Sequence, residues 1–183
     1  MRTPVMVFAF GGWNDAGEAA TGSASHLLKI WEHSIIGRFD PEDFYDFQVN
    51  RPMVFVDESK IRQITWPTTE VFGILTPQFE FDLVVVKGLE PSMKWRSFTN
   101  DRLELADDLE VSMILTVGSL LADTPHSRPI SVSGSGSHPE IGKRLGVEVS
   151  RYEGPTGILG ILQEADQSRG VDAISLWAAI PHY

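Results

Sequence analysis

Val5-Met6-Val7-Phe8-Ala9-Phe10 is a continuous apolar run that breaks into Gly11-Gly12-Trp13-Asn14-Asp15-Ala16-Gly17-Glu18. An unalternating run of this length predicts a strand buried on both faces, and a glycine-rich turn leading from it into a helix is the junction from which α/β layers are built. The helix signal follows at once. Ala16, Ala19, Ala20, Ala24, Leu27, Leu28 and Trp31 recur at three- and four-residue spacing, so one face of a helix over 15–32 is apolar and is expected to lie on a sheet. Gly22 interrupts it at a cost of ~1 kcal/mol relative to Ala. That loss predicts a close backbone approach at this position.

The turn does not read as a phosphate cradle. Its spacing from Gly12 to Gly17 imitates the opening of a P-loop, but Glu18 and Ala19 stand where a lysine and a hydroxyl residue are required. Asp15, three residues before Glu18, instead reads as a capping-box variant in which both carboxylates serve the helix's own free N–H groups. The positive end of the helix is then occupied, and two acids oppose an incoming phosphate. Trp13 reads as a plug buried under the end of the sheet, with an aromatic anchor for a partner as the alternative.

Further along the chain, residues 34–39 offer a strand, Asp40-Pro41 introduces a helical turn reaching Phe47, and 54–56, 61–66 and 71–75 offer short strands. Pro52 and Pro67 push these toward edges or loops. Residues 81–86 and 113–117 read as buried strands on either side of a helix over 95–109, which carries Phe98, Arg102, Leu105 and Leu109 on one stripe. A strand over 130–133 then runs into Gly134-Ser135-Gly136-Ser137, read as a loop, before a short helix opened by Pro139 and stopped by Gly146. Gly154-Pro155 opens a last helix closed near Gly170, and 171–179 make the last strand. This alternation predicts a single α/β layered domain over 1–183, with a central, mixed, largely parallel sheet flanked by helices and antiparallel additions from the middle strands.

Composition removes several classes of function. The chain has 183 residues, a formal charge of −10 and no cysteine, which excludes disulfides, thiolate nucleophiles and Cys-based metal sites. Its 15 Lys and Arg residues form no basic run, so nucleic acid is not an expected partner; an acidic surface suits a basic face on another protein. No apolar run reaches the roughly 20 residues of a membrane span, and the N-terminal stretch lacks the features of a secretory signal, so a cytoplasmic location is expected.

Three groups carry candidate chemistry. Asp123, His126 and Arg128 share one loop after a buried strand: Asp123 orienting His126 as a base is the chemical reading, and an Asp123–Arg128 clamp is the architectural one. No Gly-x-Ser-x-Gly nucleophile elbow accompanies them. Ser135, Gly136 and Ser137, with Gly157 ahead of the last helix, are ligand-binding candidates in which hydroxyls and backbone N–H groups would hold an anion, the alternative being an ordinary loop. The five histidines include no pair at i+3 or i+4, so no metal and no cofactor is expected.

Five motifs recur in a fixed order: Gly12 to Ala20, Gly88-Leu89-Glu90-Pro91, Leu121-Ala122-Asp123 with Pro125-His126-Ser127-Arg128-Pro129, Tyr152-Glu153-Gly154-Pro155-Thr156-Gly157-Ile158, and Leu176-Trp177-Ala178-Ala179 running into Pro181-His182-Tyr183. Together they resemble the proteasome assembly chaperone family in its actinobacterial branch. The resemblance implies a phosphorylase/hydrolase-like α/β fold, homo-oligomers that include trimers, and a scaffold or chaperone role with proteasome subunits as protein partners. It makes Gly12, Trp13, Asp15, Gly17, Glu18, Gly154 and Pro155 the structural or interface motif. Relatives commonly continue past the final strand, so the chain is expected to lack C-terminal helices they possess. A C-terminal hydrophobic-Tyr-any-residue tail docks some members into the α-ring; Tyr183 is last rather than penultimate, so that mode is not carried over. The expected function is therefore a non-enzymatic oligomeric assembly factor with Trp13, Trp66 and Trp95 as candidate anchors. The alternative is a small-molecule hydrolase or phosphorylase, or a metabolite-binding protein, using the loop from Asp123 to Arg128.

Overall fold

Strand β1 (Val5–Gly11) runs through the middle of the sheet, with Met6, Phe8 and Phe10 directed to one face and Val7 and Ala9 to the other. The computed structural model describes residues 1–146, 148–149 and 152–183. Helix α1 (Ala19–Ile30) covers the Val7/Ala9 face through Ala24, Leu27 and Leu28. The chain then forms β2 (His33–Phe39), the short α2 (Pro41–Phe44) capped by Asp40, the hairpin strands β3 (Met53–Val56) and β4 (Arg62–Thr65), β5 (Thr69–Ile74) and β6 (Leu83–Leu89). After α3 (Trp95–Asp108) come β7 (Met113–Ala122), β8 (Val132–Gly136), α4 (Pro139–Leu145), β9 (Glu148–Val149), α5 (Ile158–Arg169) and β10 (Ala173–Pro181).

The main sheet has eight strands in the order β2-β5-β6-β1-β7-β10-β8-β9. The four central strands β6, β1, β7 and β10 are parallel; β5, β2 and β8 add antiparallel pairings at the flanks. This is the mixed, largely parallel α/β layer expected from the alternation of patterns. Both faces are covered because the central strands are apolar throughout. Phe98 of α3 and Ile158, Leu159 and Leu162 of α5 pack with Met6, Phe8 and Phe10 on the face opposite α1. Strands β3 and β4 pair only with each other among the described residues, and all their residues are exposed.

Three local expectations need correction. The first helix begins at Ala19 rather than 15, after a short 3-10 turn over Ala16–Glu18. Gly17 (φ 62) and Glu18 (φ 53) lie in the left-handed region and separate the two segments. Gly22 is exposed, with nothing within 4 Å of a Cβ placed on it, so no close approach explains its lost helix propensity. Gly134, Ser135 and Gly136 belong to β8 rather than a loop, since their backbone groups pair with β10 opposite Leu176, Ser175 and Ile174.

The stripe residue Arg102 is fully buried. One guanidinium nitrogen donates to Asp166 Oδ1 and the other terminal nitrogen to the Leu162 carbonyl at 3.1 Å, while the group lies 5.4 Å from the Phe8 ring centroid. Burial pushes the Asp166 carboxyl above its ordinary range, against the opposing pull of Arg102. Arg102 Nε and Asp166 Oδ2 have no protein partner. The pair therefore fixes α3 against α5 without being a large net source of stability. At the opposite edge, Asp82 accepts from Arg2 N at 2.7 Å, Thr76 N at 3.0 Å and Arg2 Nη2 at 3.1 Å. These backbone donors, helped by the guanidinium, hold its pKa down at about 2.

Asp166→Ala is expected to lower unfolding free energy by about 3–5 kcal/mol, because Arg102 is left charged and buried, whereas a double change to Met and Leu costs less. Urea unfolding of the three proteins checks this; a double variant weaker than the single would contradict it. Gly22→Ala is expected to raise stability by about 1 kcal/mol in the same assay. The Asp82 contribution is complete above the unfolded carboxyl value of about 4 and is lost as pH falls toward about 2. Asp82→Asn should thus reduce stability at neutral pH and flatten the acid limb of a stability–pH curve; parallel acid limbs would count against the assignment.

Candidate functional site

The chain leaves β1 toward α1 on one face and leaves β6 toward α3 on the other, so the turns after these neighbouring strands part at their carboxyl ends. Such a divergence is where open α/β sheets place ligands. Here it opens a crevice of ≈ 450 Å³ beside Gly11, Gly12, Gly88 and Leu89. Gly88 is obligatory at this bend: a Cβ there would sit 2.5 Å from the Thr68 carbonyl oxygen.

The two turns are tied together by a polar network. Asn14, only 2% exposed, donates from Nδ2 to Glu90 Oε1 at 2.9 Å, and its carbonyl accepts from Ser119 N at 2.8 Å. The same Glu90 oxygen accepts from Ile158 N at 2.8 Å, in the first turn of α5, and Glu90 N donates to Gly11 O at 2.8 Å. A Cβ at Gly157 would overlap the Asn14 amide, so glycine is required for this approach. Tyr45 pins α2 to the same edge by donating to the Leu89 carbonyl at 2.8 Å and bonding Thr69 Oγ1 at 2.6 Å; burial pushes its phenol up to about 12.

Asp15 serves the helix as its position suggested. Its Oδ1 accepts from Ala20 N at 2.8 Å and Thr21 N at 3.1 Å, and its Oδ2 from the Thr21 hydroxyl. Glu18 does not share this task, because its left-handed backbone turns the side chain outward, where it makes no cap hydrogen bond. Gly17, also left-handed, brings its α-carbon against β10, with Ile180 Cγ2 3.2 Å from a placed Cβ. Trp13 is 65% exposed and is not a plug. It stands on the turn because Asn14 and Asp15 beside it take the inward positions. Trp66 is 47% exposed and packs on Phe47, whereas Trp95 is partly buried and donates to the Pro91 carbonyl.

Asp123, His126 and Arg128 all lie exposed in the segment after β7, and no hydrogen bond or ion pair joins their side chains among the described residues. The His126 ring meets Tyr183 edge to face at 5.6 Å, and its main-chain N–H faces the Tyr183 hydroxyl at 3.3 Å. Ser135 and Gly136 are strand residues; Ser135 Oγ accepts from Gln163 at 3.3 Å, and Gly136 is packed against Ile141. Ser137 is 1% exposed, donating to the Val171 carbonyl and accepting from Ala173 N, both at 3.1 Å. Gly154 (φ 150) and Pro155 lie exposed ahead of α5, where Tyr152 donates to the Pro155 carbonyl at 2.9 Å. The structure thus brings Gly12, Asp15 and Gly157 to one edge with Asn14 and Glu90, and leaves the Asp123 and Ser135 groups elsewhere.

Asn14 and Glu90 were not singled out from sequence, although both stand inside the ordered motifs; a carboxylate directly after a buried strand was the available signal. Among the described residues, no group of three or more His, Cys, Asp or Glu is placed to hold a metal ion. No helix among them is long and apolar enough to cross a membrane.

Residues 9–183 match the PAC2 family. No curated protein matches the chain. A PAC2 family protein from Streptomyces avermitilis is 52% identical and superposes with a TM-score of 0.92, the match covering 98% of this chain and 77% of that one. A Mycobacterium tuberculosis proteasome-assembly chaperone homologue is 42% identical, with a TM-score of 0.90 over 98% of this chain and 76% of that one. An archaeal proteasome activator from Pyrococcus furiosus shares the fold at 17% identity, with a TM-score of 0.73 over 100% of this chain and 77% of that one. The extent of the family match and the identity to the Streptomyces protein place this chain in the PAC2 family.

Proposed function

We propose that this protein is a non-enzymatic scaffold that assists assembly of proteasome subunits in the cytoplasm, acting as a homo-oligomer in which 1–183 works as one α/β unit. One observation carries the reading. At the sheet edge where an enzyme of this architecture keeps its reacting groups, Asn14, Asp15 and Glu90 are engaged in holding turns and helices, while apolar side chains face outward. Trp13 (65%), Leu120 (46%), Leu121 (64%) and Tyr183 (70%) are exposed along the ends of β1, β7 and β10. Apolar and aromatic side chains presented together in this way suit protein contact. The formal charge of −10 favours a basic face on the partner. The 42% identity to a protein described as a proteasome-assembly chaperone homologue supports the choice of partner.

Immobilised protein is expected to retain purified proteasome subunits from an actinobacterium, more strongly at low than at high salt. Trp13→Ala is expected to weaken that binding by about 2 kcal/mol, roughly thirty-fold, with unchanged circular dichroism. Failure to retain any subunit at either salt concentration would remove the proposal.

A further inference from the structure

The crevice between β1 and β6, at ≈ 450 Å³, falls within the roughly 300–1,000 Å³ of sites that hold small ligands. Its lining is predominantly polar and charged, with Phe72 as an apolar exception. The charges are unevenly committed. Asp15 is fully used by three donors from α1, and Glu70 gives Oε1 to Arg38 Nε at 2.9 Å. Glu18 makes no side-chain hydrogen bond or ion pair among the described residues, although its left-handed backbone (φ 53) holds it beside the crevice. Lys87 makes none either, even though it faces Glu70 directly across the β5–β6 ladder.

A bare anion entering here would gain Lys87 but meet the carboxylates of Asp15, Glu18 and Glu70. A bare cation would gain those carboxylates but meet the Lys87 ammonium. A molecule carrying both charges a few ångströms apart satisfies each wall with its opposite. We propose that this crevice binds a small zwitterion of the α-amino-acid or dipeptide type, with its carboxylate on Lys87 and its ammonium between Glu18 and Glu70. The proposal is independent of the assembly role, because it rests on different residues from the exposed aromatic edge.

Thermal-shift and calorimetric titration of the full chain with the free proteinogenic amino acids and a set of unblocked dipeptides tests this directly. At least one free zwitterion at millimolar concentration is expected to raise the melting midpoint, the two arms telling single amino acids from dipeptides. N-acetylation or C-amidation of that ligand should weaken binding about tenfold or more. Inorganic phosphate and methylammonium should each bind more weakly than the zwitterion. Lys87→Gln and Glu18→Gln should each reduce affinity by a similar factor. Glu18 is exposed and outside the helix cap, so that variant decides the matter if the lysine change impairs folding. Absence of any response to free zwitterions, equal binding of the blocked forms or the single ions, or affinity unaltered in the Glu18 variant would each overturn the assignment.

Discussion

One carboxylate oxygen fastens the carboxyl edge of the sheet. Glu90 Oε1 receives the Asn14 amide at 2.9 Å and the Ile158 N–H at 2.8 Å, so the turn after β1, the turn after β6 and the first residue of α5 meet at a single atom. A charged acceptor at a helix N-terminus gains from the hydrogen bond and from the aligned peptide dipoles together. Without it, Asn14 keeps an amide donor in a 2% exposed position with nothing to accept from it, a cost of about 1–3 kcal/mol. The requirement for glycine at position 157 follows from the same contact, since any side chain there would displace the amide.

The same solution recurs at α1, where Asp15 binds two backbone N–H groups and a hydroxyl. Both helix ends nearest the central strands are therefore closed by the protein's own acids, which separates this edge from the phosphate-binding turns built on related sheets. What the edge offers to other molecules is an exposed aromatic and aliphatic rim beside a small charged crevice. PAC2 membership and this distribution of committed and free groups lead to the same picture of a protein that binds rather than reacts.

The central sheet was legible because its strands are buried on both faces and read as uninterrupted apolar runs. The caps at Asp40, Gly146 and Gly170 were legible because each answers a local backbone need. Trp13 was misread because average burial says nothing about which residue of a turn points inward; that was decided by Asn14 and Asp15, whose partners lie far along the chain. Gly134-Ser135-Gly136 was misread as a loop because its strand pairing is supplied by β10, which forms some forty residues later. Glu90 escaped notice for the same reason, since its two partners lie 76 and 68 residues away. The Gly22 reading failed differently: a residue of poor helix propensity was assumed to have a packing cause, and the structure shows open space around it.

Strands β3 and β4 stand outside the main sheet, with Met53, Val54, Phe55, Val56 and Ile64 all exposed. A lone pair of strands holds only marginal stability in water. The ladder between Met53–Val56 and Arg62–Thr65 can open and re-form at a free-energy cost well below that of dismantling β1. The molecule is thus thermodynamically two-tiered, a rigid platform bearing a soft arm whose order depends on its surroundings.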